Sequence, residues 1–134
     1  MDVYHIWCNL EPGTSDIEFC TAVDRYLGSL RSDRRIAGHR ITRCKLGLGP
    51  RELGEFHIAI EVEDLAQLDR AFRAVSTRSG PIEALHHAVN QHACDVTFAL
   101  YRDFPDAGRE QGGELFSARM RRARRAAFQR MGLC

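Results

Sequence analysis

The sequence predicts an α+β fold in which helices cover one face of a four-stranded antiparallel sheet. Four short segments alternate apolar and polar residues, as strands do, and two longer segments carry apolar residues at helical spacing. Their order along the chain is βαββαβ. A chain of 134 residues with 44% hydrophobic and 28% charged residues is sufficient for one packed domain, and this composition excludes wholesale disorder.

The first strand is predicted in residues 1–10 because two sets of side chains alternate there. One set comprises Tyr4, Ile6, Cys8 and Leu10, and the other comprises Val3, His5, Trp7 and Asn9. Ser15 and Glu18 then form a capping box, which predicts a helix near residues 16–31. Its apolar stripe consists of Ile17, Cys20, Val23, Leu27 and Leu30, with Phe19 and Tyr26 beside it.

The second and third strands are predicted in residues 38–46 and 55–63, on either side of a glycine-rich loop. This loop, at residues 47–54, matches no phosphate-binding motif and indicates a hairpin that needs positive φ angles. On the third strand, one face carries Phe56, Ile58, Ile60 and Val62, and the other carries His57, Ala59, Glu61 and Glu63.

The rest of the pattern completes the fold. Asp64 and Gln67 predict the start of a second helix, whose apolar stripe comprises Leu65, Leu68, Phe72 and Val75. Ser-Gly-Pro at residues 79–81 interrupts it, a short helix follows, and a fourth strand is predicted at residues 95–101. This order of elements is that of the ferredoxin-like fold, in which the helices share one face of the sheet.

The face of the sheet that the helices leave open carries Trp7, which predicts a partner. An exposed indole on an open sheet forgoes a burial energy of a few kcal/mol. A second sheet packed on this face would bury the indole, and a symmetric dimer supplies one. We therefore predict a homodimer whose interface comprises Val3, His5, Trp7, His57 and Ala59.

Three segments resemble the dimeric α+β-barrel superfamily, in which two ferredoxin-like protomers pack sheet to sheet. They are DVYHIWCNLEPG, KLGLGPRELGEFHIAIEVEDLAQLDRAF and EALHHAVNQHACDVTFALYRDFP. The likeness covers residues 1–105 and extends to a bacterial family of small uncharacterised proteins. The wider superfamily includes cofactor-free quinone-forming monooxygenases, haem-degrading monooxygenases, ring-cleavage and isomerase-type enzymes, and stress-induced proteins. The resemblance therefore implies one fold but does not select one activity.

Two histidines on the strands are the first candidates for chemistry. His5 and His57 lie on neighbouring strands and, by parity, on the open face with Trp7, Asn9 and Glu61. A histidine beside a carboxylate can act as a general base or orient a small polar ligand. His5, His57 and Glu61 are therefore the candidate catalytic residues, with Trp7 and Asn9 as candidate ligand-binding residues. The alternative is structural, with the two histidines fixing the register of the dimer interface.

His86 and His87, near Asn90 and His92, form a second candidate group. The resemblance to haem-degrading relatives implies an axial haem ligand at a comparable position. Those relatives also carry a tryptophan near the end of the third strand, where this chain has Val62. Adjacent histidines on a helix diverge by about 100° and do not readily serve one metal. We predict ligand-binding roles for His86 and His87 without a metal. The alternatives are ordinary surface or capping histidines and, as a minor one, a haem ligand.

Three aromatic residues are candidates for a pocket between sheet and helices. Tyr26, Phe72 and Tyr101 can line such a pocket, although aromatic residues at these spacings are core residues by default. Tyr101 joins the predicted ligand-binding residues.

Cysteine usage and the N-terminus indicate the cytoplasm. The five cysteines are an odd number with no CxxC pair, which favours reduced thiols over disulfides or a zinc site. The N-terminus has no basic region before an apolar stretch, and the apolar runs are too short to span a membrane. We expect a cytoplasmic protein that does not associate with membranes.

A basic C-terminal segment follows the predicted domain at residues 1–106. Residues 107–134 are predicted to form a linker and a helix. From residue 109 onward, seven arginines against two glutamates give +5, and the whole-chain charge of +1 leaves −4 for residues 1–108. This difference predicts that the helix docks on the acidic domain. Arginines within residues 119–130 offer nucleic-acid binding as the alternative, although the acidic domain argues against it.

Together these features predict a small dimeric protein that binds or transforms a small molecule, aromatic or quinol-like by resemblance, in a cleft between sheet and helices. As an enzyme it would be a cofactor-independent protein of monooxygenase-like or isomerase-like type. The alternative is a non-enzymatic structural or regulatory interaction protein. An apolar pocket with a histidine at its wall favours the first prediction, and a cleft filled by side chains favours the second.

Overall fold

The computed structural model describes residues 1–106, which contain seven regular elements. They are β1 (Asp2–Leu10), α1 (Asp16–Ser32), β2 (Gly38–Arg43), β3 (Phe56–Val62), α2 (Leu65–Ser76), α3 (Gly80–Asn90) and β4 (Ala93–Arg102). The strands form one sheet in the order β2-β3-β1-β4, with all neighbouring strands antiparallel. The predicted α+β ferredoxin-like fold is confirmed, and the short helix expected after residues 79–81 is α3.

The predicted C-terminal helix lies outside the described residues. Among the helices that the structure describes, none is long and apolar enough to cross a membrane.

The helices begin where their capping residues predict. Ser15 Oγ accepts a hydrogen bond from the Glu18 N–H at 3.2 Å, and Asp64 Oδ1 accepts one from the Gln67 N–H at 2.7 Å. The Gln67 side chain reaches back to accept a hydrogen bond from the Glu63 N–H at 2.8 Å. Both predicted N-cap residues are therefore confirmed, and each satisfies a backbone donor that its helix leaves unpaired.

The core lies between the helices and the sheet, and three predicted core positions are wrong. Ile17 is 72% exposed, Leu65 is 46% exposed and Phe72 is 48% exposed. The stripe of α1 that reaches the core consists of Phe19, Val23, Leu27 and Leu30, and that of α2 is centred on Leu68 and Ala71. Each helix is thus rotated about its axis relative to the predicted stripe, because packing against the sheet decides which flank is buried.

The alternation along the strands gives the sheet two chemically different faces. The closed face, against the helices, carries the apolar residues of β1 and β3, including Ile6, Cys8, Ile58 and Ile60. The open face carries the intervening side chains, which are Val3, His5, Trp7, Asn9, Arg40, Thr42, His57, Ala59, Glu61, Thr97, Ala99 and Tyr101. The parity predicted for His5 and His57 is therefore confirmed.

Strand β2 is shorter than predicted because the chain turns after it. It ends at Arg43, and both Leu46 and Gly47 have positive φ, of 56° and 65°. Further along the loop, a Cβ at Gly54 would lie 2.4 Å from backbone atoms of Cys8. The glycines at 47 and 54 thus serve a left-handed turn and a close approach to β1.

Candidate functional site

A cleft opens between the closed face of the sheet and the three helices. Its volume is about 330 Å³. It is lined by Tyr4, Ile6, Cys8, Phe19, Val23, Tyr26, Leu27, Ile58, Ile60, Phe72, Val75, His86, Val89, Asn90, Ala93, Val96 and Phe98. No lysine, arginine, aspartate or glutamate is among these described lining residues, so the cleft suits an uncharged ligand.

Three side chains form the polar end of this cleft. The Tyr26 and His86 rings lie 5.3 Å apart, centre to centre, and the Asn90 amide nitrogen donates to His86 Nε2 at 3.2 Å. With Nε2 accepting, the neutral imidazole carries its proton on Nδ1 and donates from there. Burial, assisted by Glu83, raises the pKa of Tyr26 to about 12, so its hydroxyl keeps its proton at neutral pH. Two of the residues that line the cleft, Tyr26 and His86, therefore carry a group that can donate a hydrogen bond.

Aromatic rings form the solvent-facing side of the cleft. Tyr4 meets Phe72 edge to face at 5.3 Å and stacks on Phe98 at 5.8 Å, both measured between ring centres. Phe72 and Phe98 are 48% and 60% exposed. Exposed aromatic side chains in contact with a cavity provide flat surface for a planar ligand to pack against.

The cysteines near the cleft are poor nucleophiles. Burial raises the pKa of the Cys8 thiol to about 11, and burial together with Asp24 and Asp16 also raises the pKa of Cys20. A thiol reacts as its thiolate, and a raised pKa keeps both protonated at neutral pH. Nucleophilic catalysis by these residues is therefore disfavoured.

The open face brings two of the predicted catalytic residues into direct contact. His5 Nδ1 lies 2.9 Å from His57 Nε2, with ring planes inclined by only 13° and ring centres 5.1 Å apart. The imidazoles therefore meet end to end through one N–H···N hydrogen bond. His57 Nδ1 lies 3.2 Å from Thr42 Oγ1, which extends the hydrogen-bonded chain to β2.

Aromatic residues surround this histidine pair. The Trp7 indole lies 4.8 Å from the His57 ring at 22°, and the Tyr101 ring meets His5 edge to face at 5.2 Å. Burial and the neighbouring His5 lower the pKa of His57. Tyr101 consequently lies on the open face and does not line the cleft, since β4 directs it to the same side as Val3.

The third predicted catalytic residue lies apart from the pair. A Cβ on Gly38 would lie 2.9 Å from Glu61 Oε2, so this carboxylate extends over β2. Within the described residues, no hydrogen bond joins Glu61 to His5 or His57. The histidine–carboxylate arrangement expected for general-base catalysis is not assembled on this face.

Asn9 and His87 also lie away from a ligand position. Asn9 Oδ1 accepts from the Glu55 N–H at 2.9 Å, and its Nδ2 donates to Asp95 Oδ2 at 3.1 Å, so both ends of the amide support the fold. His87 is exposed on α3, turned away from the cleft that His86 lines. The role of Asn90 was missed, although its spacing of four residues from His86 places the two side chains on one helix face.

A wider cavity lies at one end of the open face, beneath the loop at residues 47–54. Its volume is about 670 Å³, and Trp7, Thr42 and His57 form its floor. Arg43 lies at its side and pairs with Asp16 at 3.0 Å and with Glu55 at 2.8 Å. Because Arg43 already pairs with these two carboxylates, its charge does not favour an anionic ligand in this cavity.

The described residues do not favour a metal or haem. Within residues 1–106, no three histidine, cysteine or acidic side chains converge to hold a metal ion. His86 Nε2 is occupied by Asn90, and Val62, at the position of the tryptophan in haem-degrading relatives, is fully buried in the core. These residues do not fit a haem site.

Solved structures with this fold come from several organisms. The Arabidopsis thaliana protein At3g17210 is 9% identical, with a TM-score of 0.62, and the match covers 80% of this chain and 99% of that one. SnoaB, a cofactor-independent oxygenase from Streptomyces nogalater, is 12% identical, with a TM-score of 0.56 and coverage of 81% and 97%.

A dimeric ferredoxin-like protein of unknown function from Jannaschia sp. CCS1 is 11% identical, with a TM-score of 0.57 and coverage of 77% and 100%. At such identities the likeness shows the ferredoxin-like fold alone. No curated protein matches the sequence significantly. A family profile matches residues 1–116. The chain therefore belongs to the family of unknown function DUF6614.

Proposed function

We propose that this protein binds a small, uncharged, largely apolar molecule in the cleft between the helices and the closed face. The observation that carries this proposal is the cleft itself, with apolar walls, no charged side chain among its described lining residues and polar groups at one end. Cavities of this kind, apolar with a few convergent polar groups, are typical ligand sites. A cleft filled by side chains would have favoured a purely structural role.

The donors at the polar end define the ligand further. The Tyr26 hydroxyl and His86 Nδ1 both donate, so the ligand presents an acceptor such as a carbonyl or phenolic oxygen. At a packing density of about 0.75, a cavity of about 330 Å³ holds a ligand of roughly 250 Å³, the size of a two- or three-ring compound. A planar aromatic ketone, quinone or quinol meets these requirements.

The catalytic form of this proposal is oxidation of a quinol-like substrate without a bound cofactor. In that reaction the quinol gives two electrons and two protons to dioxygen, yielding the quinone and hydrogen peroxide. Removing a proton from the substrate needs the other tautomer of His86, with its lone pair on Nδ1. The Asn90 amide supports either tautomer, because its nitrogen donates and its oxygen accepts. SnoaB, described as a cofactor-independent oxygenase with this fold, supports testing for oxygen consumption.

The assembly we propose is a homodimer joined through the open face. Trp7, Val3, Ala59 and Ala99 give this face apolar surface that an isolated protomer leaves partly in water. Proteins with this fold from Jannaschia sp. CCS1 and Thermobifida fusca are described as dimeric, which supports a dimer, and the apolar surface of the open face supports packing sheet to sheet.

Calorimetric titration with 1,4-naphthoquinone tests the binding proposal. We expect saturable binding that Tyr26→Phe weakens about fivefold, because one hydrogen bond contributes about 1 kcal/mol. Tyr101→Phe removes a hydroxyl from the open face and should leave the affinity unchanged. Absence of saturable binding, or equal losses in the two variants, would contradict the cleft as the site. Oxygen uptake with the corresponding quinol, compared with Tyr26→Phe, tests the catalytic form.

A further inference from the structure

The open face contains a hydrogen bond that can hold only one proton. His5 Nδ1 and His57 Nε2 are 2.9 Å apart, so one of these two nitrogens carries a proton and donates it, and the other accepts through its lone pair. If both nitrogens carry protons, two N–H groups point at each other and the hydrogen bond is lost. The pair therefore tolerates one added proton on its outer nitrogens far better than it tolerates two charged rings.

The groups around the His5–His57 pair do not compensate a second positive charge on it. The titratable or charged groups that face it are Arg40 on β2, Glu61 on β3, Tyr101 on β4, and Arg43, Cys44, Arg51 and Glu55 around the cavity under the loop. Glu61 extends over Gly38, and Glu55 is bound by Arg43. Neither carboxylate contacts the pair within the described residues, whereas Arg40 already adds a positive charge to this face.

Packing a second sheet on this face would withdraw the pair from water. A separated protomer can relieve double protonation by turning the rings apart and hydrating them. In a closed sheet-to-sheet interface, the same two charges would meet the like charges of the second copy in a low-dielectric layer. The separated state therefore takes up more protons than the dimer when the solution becomes acidic.

We propose that the dimer is an acid-sensitive assembly, in which each protomer's His5–His57 pair is buried between the open faces near neutral pH and drives them apart when both imidazoles become charged. This inference rests on the proposed dimer. It assigns the open face a regulatory role that is separate from ligand binding in the cleft.

The direction of the pH dependence follows from proton linkage. The pKa of His57 is already lowered by burial and by His5, and docking a second sheet deepens that burial. A histidine with a lowered pKa favours the docked state fully above its free value, near 6.5, and this contribution is lost as the pH falls below that value. One extra proton per protomer on dissociation raises the dimer Kd by up to about a hundredfold per pH unit, since each proton contributes tenfold.

Sedimentation velocity of the full chain between pH 8 and pH 5 tests the proposal. We expect a dimer at pH 8 whose Kd rises about ten- to a hundredfold per pH unit below pH 6.5, with far-UV circular dichroism unchanged. The double variant His5→Gln/His57→Gln can replace the imidazole contact by an amide–amide hydrogen bond. Its dimer Kd should change less than about threefold between pH 8 and pH 5. His87→Gln, which removes an exposed histidine on α3, should behave like the wild type.

Several results would overturn the proposal. A wild-type dimer whose Kd is constant from pH 8 to pH 5 refutes acid sensitivity, and a double variant that keeps the wild-type slope refutes the role of this pair. A monomer at pH 8 refutes the proposed dimer itself. This result differs from a dimer whose Kd does not depend on pH, which refutes only the acid sensitivity. If the double variant does not fold, NMR titration of the wild-type ring nitrogens decides, because titration of His5 and His57 outside the dissociation range contradicts the mechanism.

Discussion

Strand β1 supplies both the cleft and the open face, and its alternate residues have opposite chemistry. Tyr4, Ile6 and Cys8 line a cleft whose described walls are uncharged. Between them, His5 and Trp7 lie among hydrogen-bonded, titratable neighbours on the other side. One strand thus separates a cleft without charged lining residues from a face that carries a pair of hydrogen-bonded imidazoles. The difference indicates that substitutions on the two faces should alter different properties.

The largest expected effect is on folding, from a substitution on the helix side of the sheet. Phe19 is fully buried and packs edge to face on Phe56 at 5.4 Å, so Phe19→Ala should lower the free energy of unfolding by about 3–5 kcal/mol. Ile17→Ala, two residues earlier on the exposed side of α1, should cost less than about 0.5 kcal/mol. Urea denaturation measures both. Similar losses in the two variants would contradict the observed rotation of α1.

The next effect is on assembly, from a charge placed on the open face. Trp7→Glu should raise the dimer Kd at least about a hundredfold, roughly 2.7 kcal/mol, because a carboxylate replaces the main apolar side chain of the proposed interface. Light scattering measures the shift towards the 15.2 kDa chain. Binding of 1,4-naphthoquinone to the cleft should persist in the folded variant. A Trp7→Glu protein that remains dimeric would place the interface elsewhere.

The smallest expected effect comes from removing residues 107–134. The seven elements of the described residues, both faces of the sheet and the cleft lie within residues 1–102, so the shortened chain ending at Asp106 should still unfold cooperatively on heating. Its Tm should change by less than about 5 °C, equivalent to about 1 kcal/mol for a domain of this size. Loss of cooperative thermal unfolding would show that the domain extends beyond residue 106.

Backbone patterns predicted more of this molecule than side-chain directions did. Period-two alternation placed His5 and His57 on one face, and the capping residues placed the helix starts. The course of Glu61 over Gly38 depends on a rotamer and on the absence of a Cβ across the strand pair, which no single-strand pattern reports. The exposure of Ile17 likewise depends on how α1 rotates against the sheet.

In the cleft, too, the sequence pattern predicted a candidate residue but not the direction of its side chain. A histidine on the late helix was predicted as a ligand-binding candidate, and His86 does line the cavity. Its partner Tyr26 comes from α1, sixty residues earlier, and only the packing of α1 against α3 brings the rings together. Adjacent histidines on a helix point in different directions, so the pattern named His86 and His87 equally while the fold directs one of them into the cleft.

Asn9 has a consequence for how the chain finds its native sheet. Shifting β1 by one residue would exchange its two sets of side chains, moving His5 and Trp7 against the helices and Ile6 towards water. Between Trp7 and Asn9 the pairing of β1 with β4 is interrupted by one extra residue in β4, and Asn9 bonds both Glu55 and Asp95 there. A slipped strand would break both hydrogen bonds and place the bulge against the wrong residue. The two hydrogen bonds of Asn9 therefore favour the native register of β1 over a register shifted by one residue.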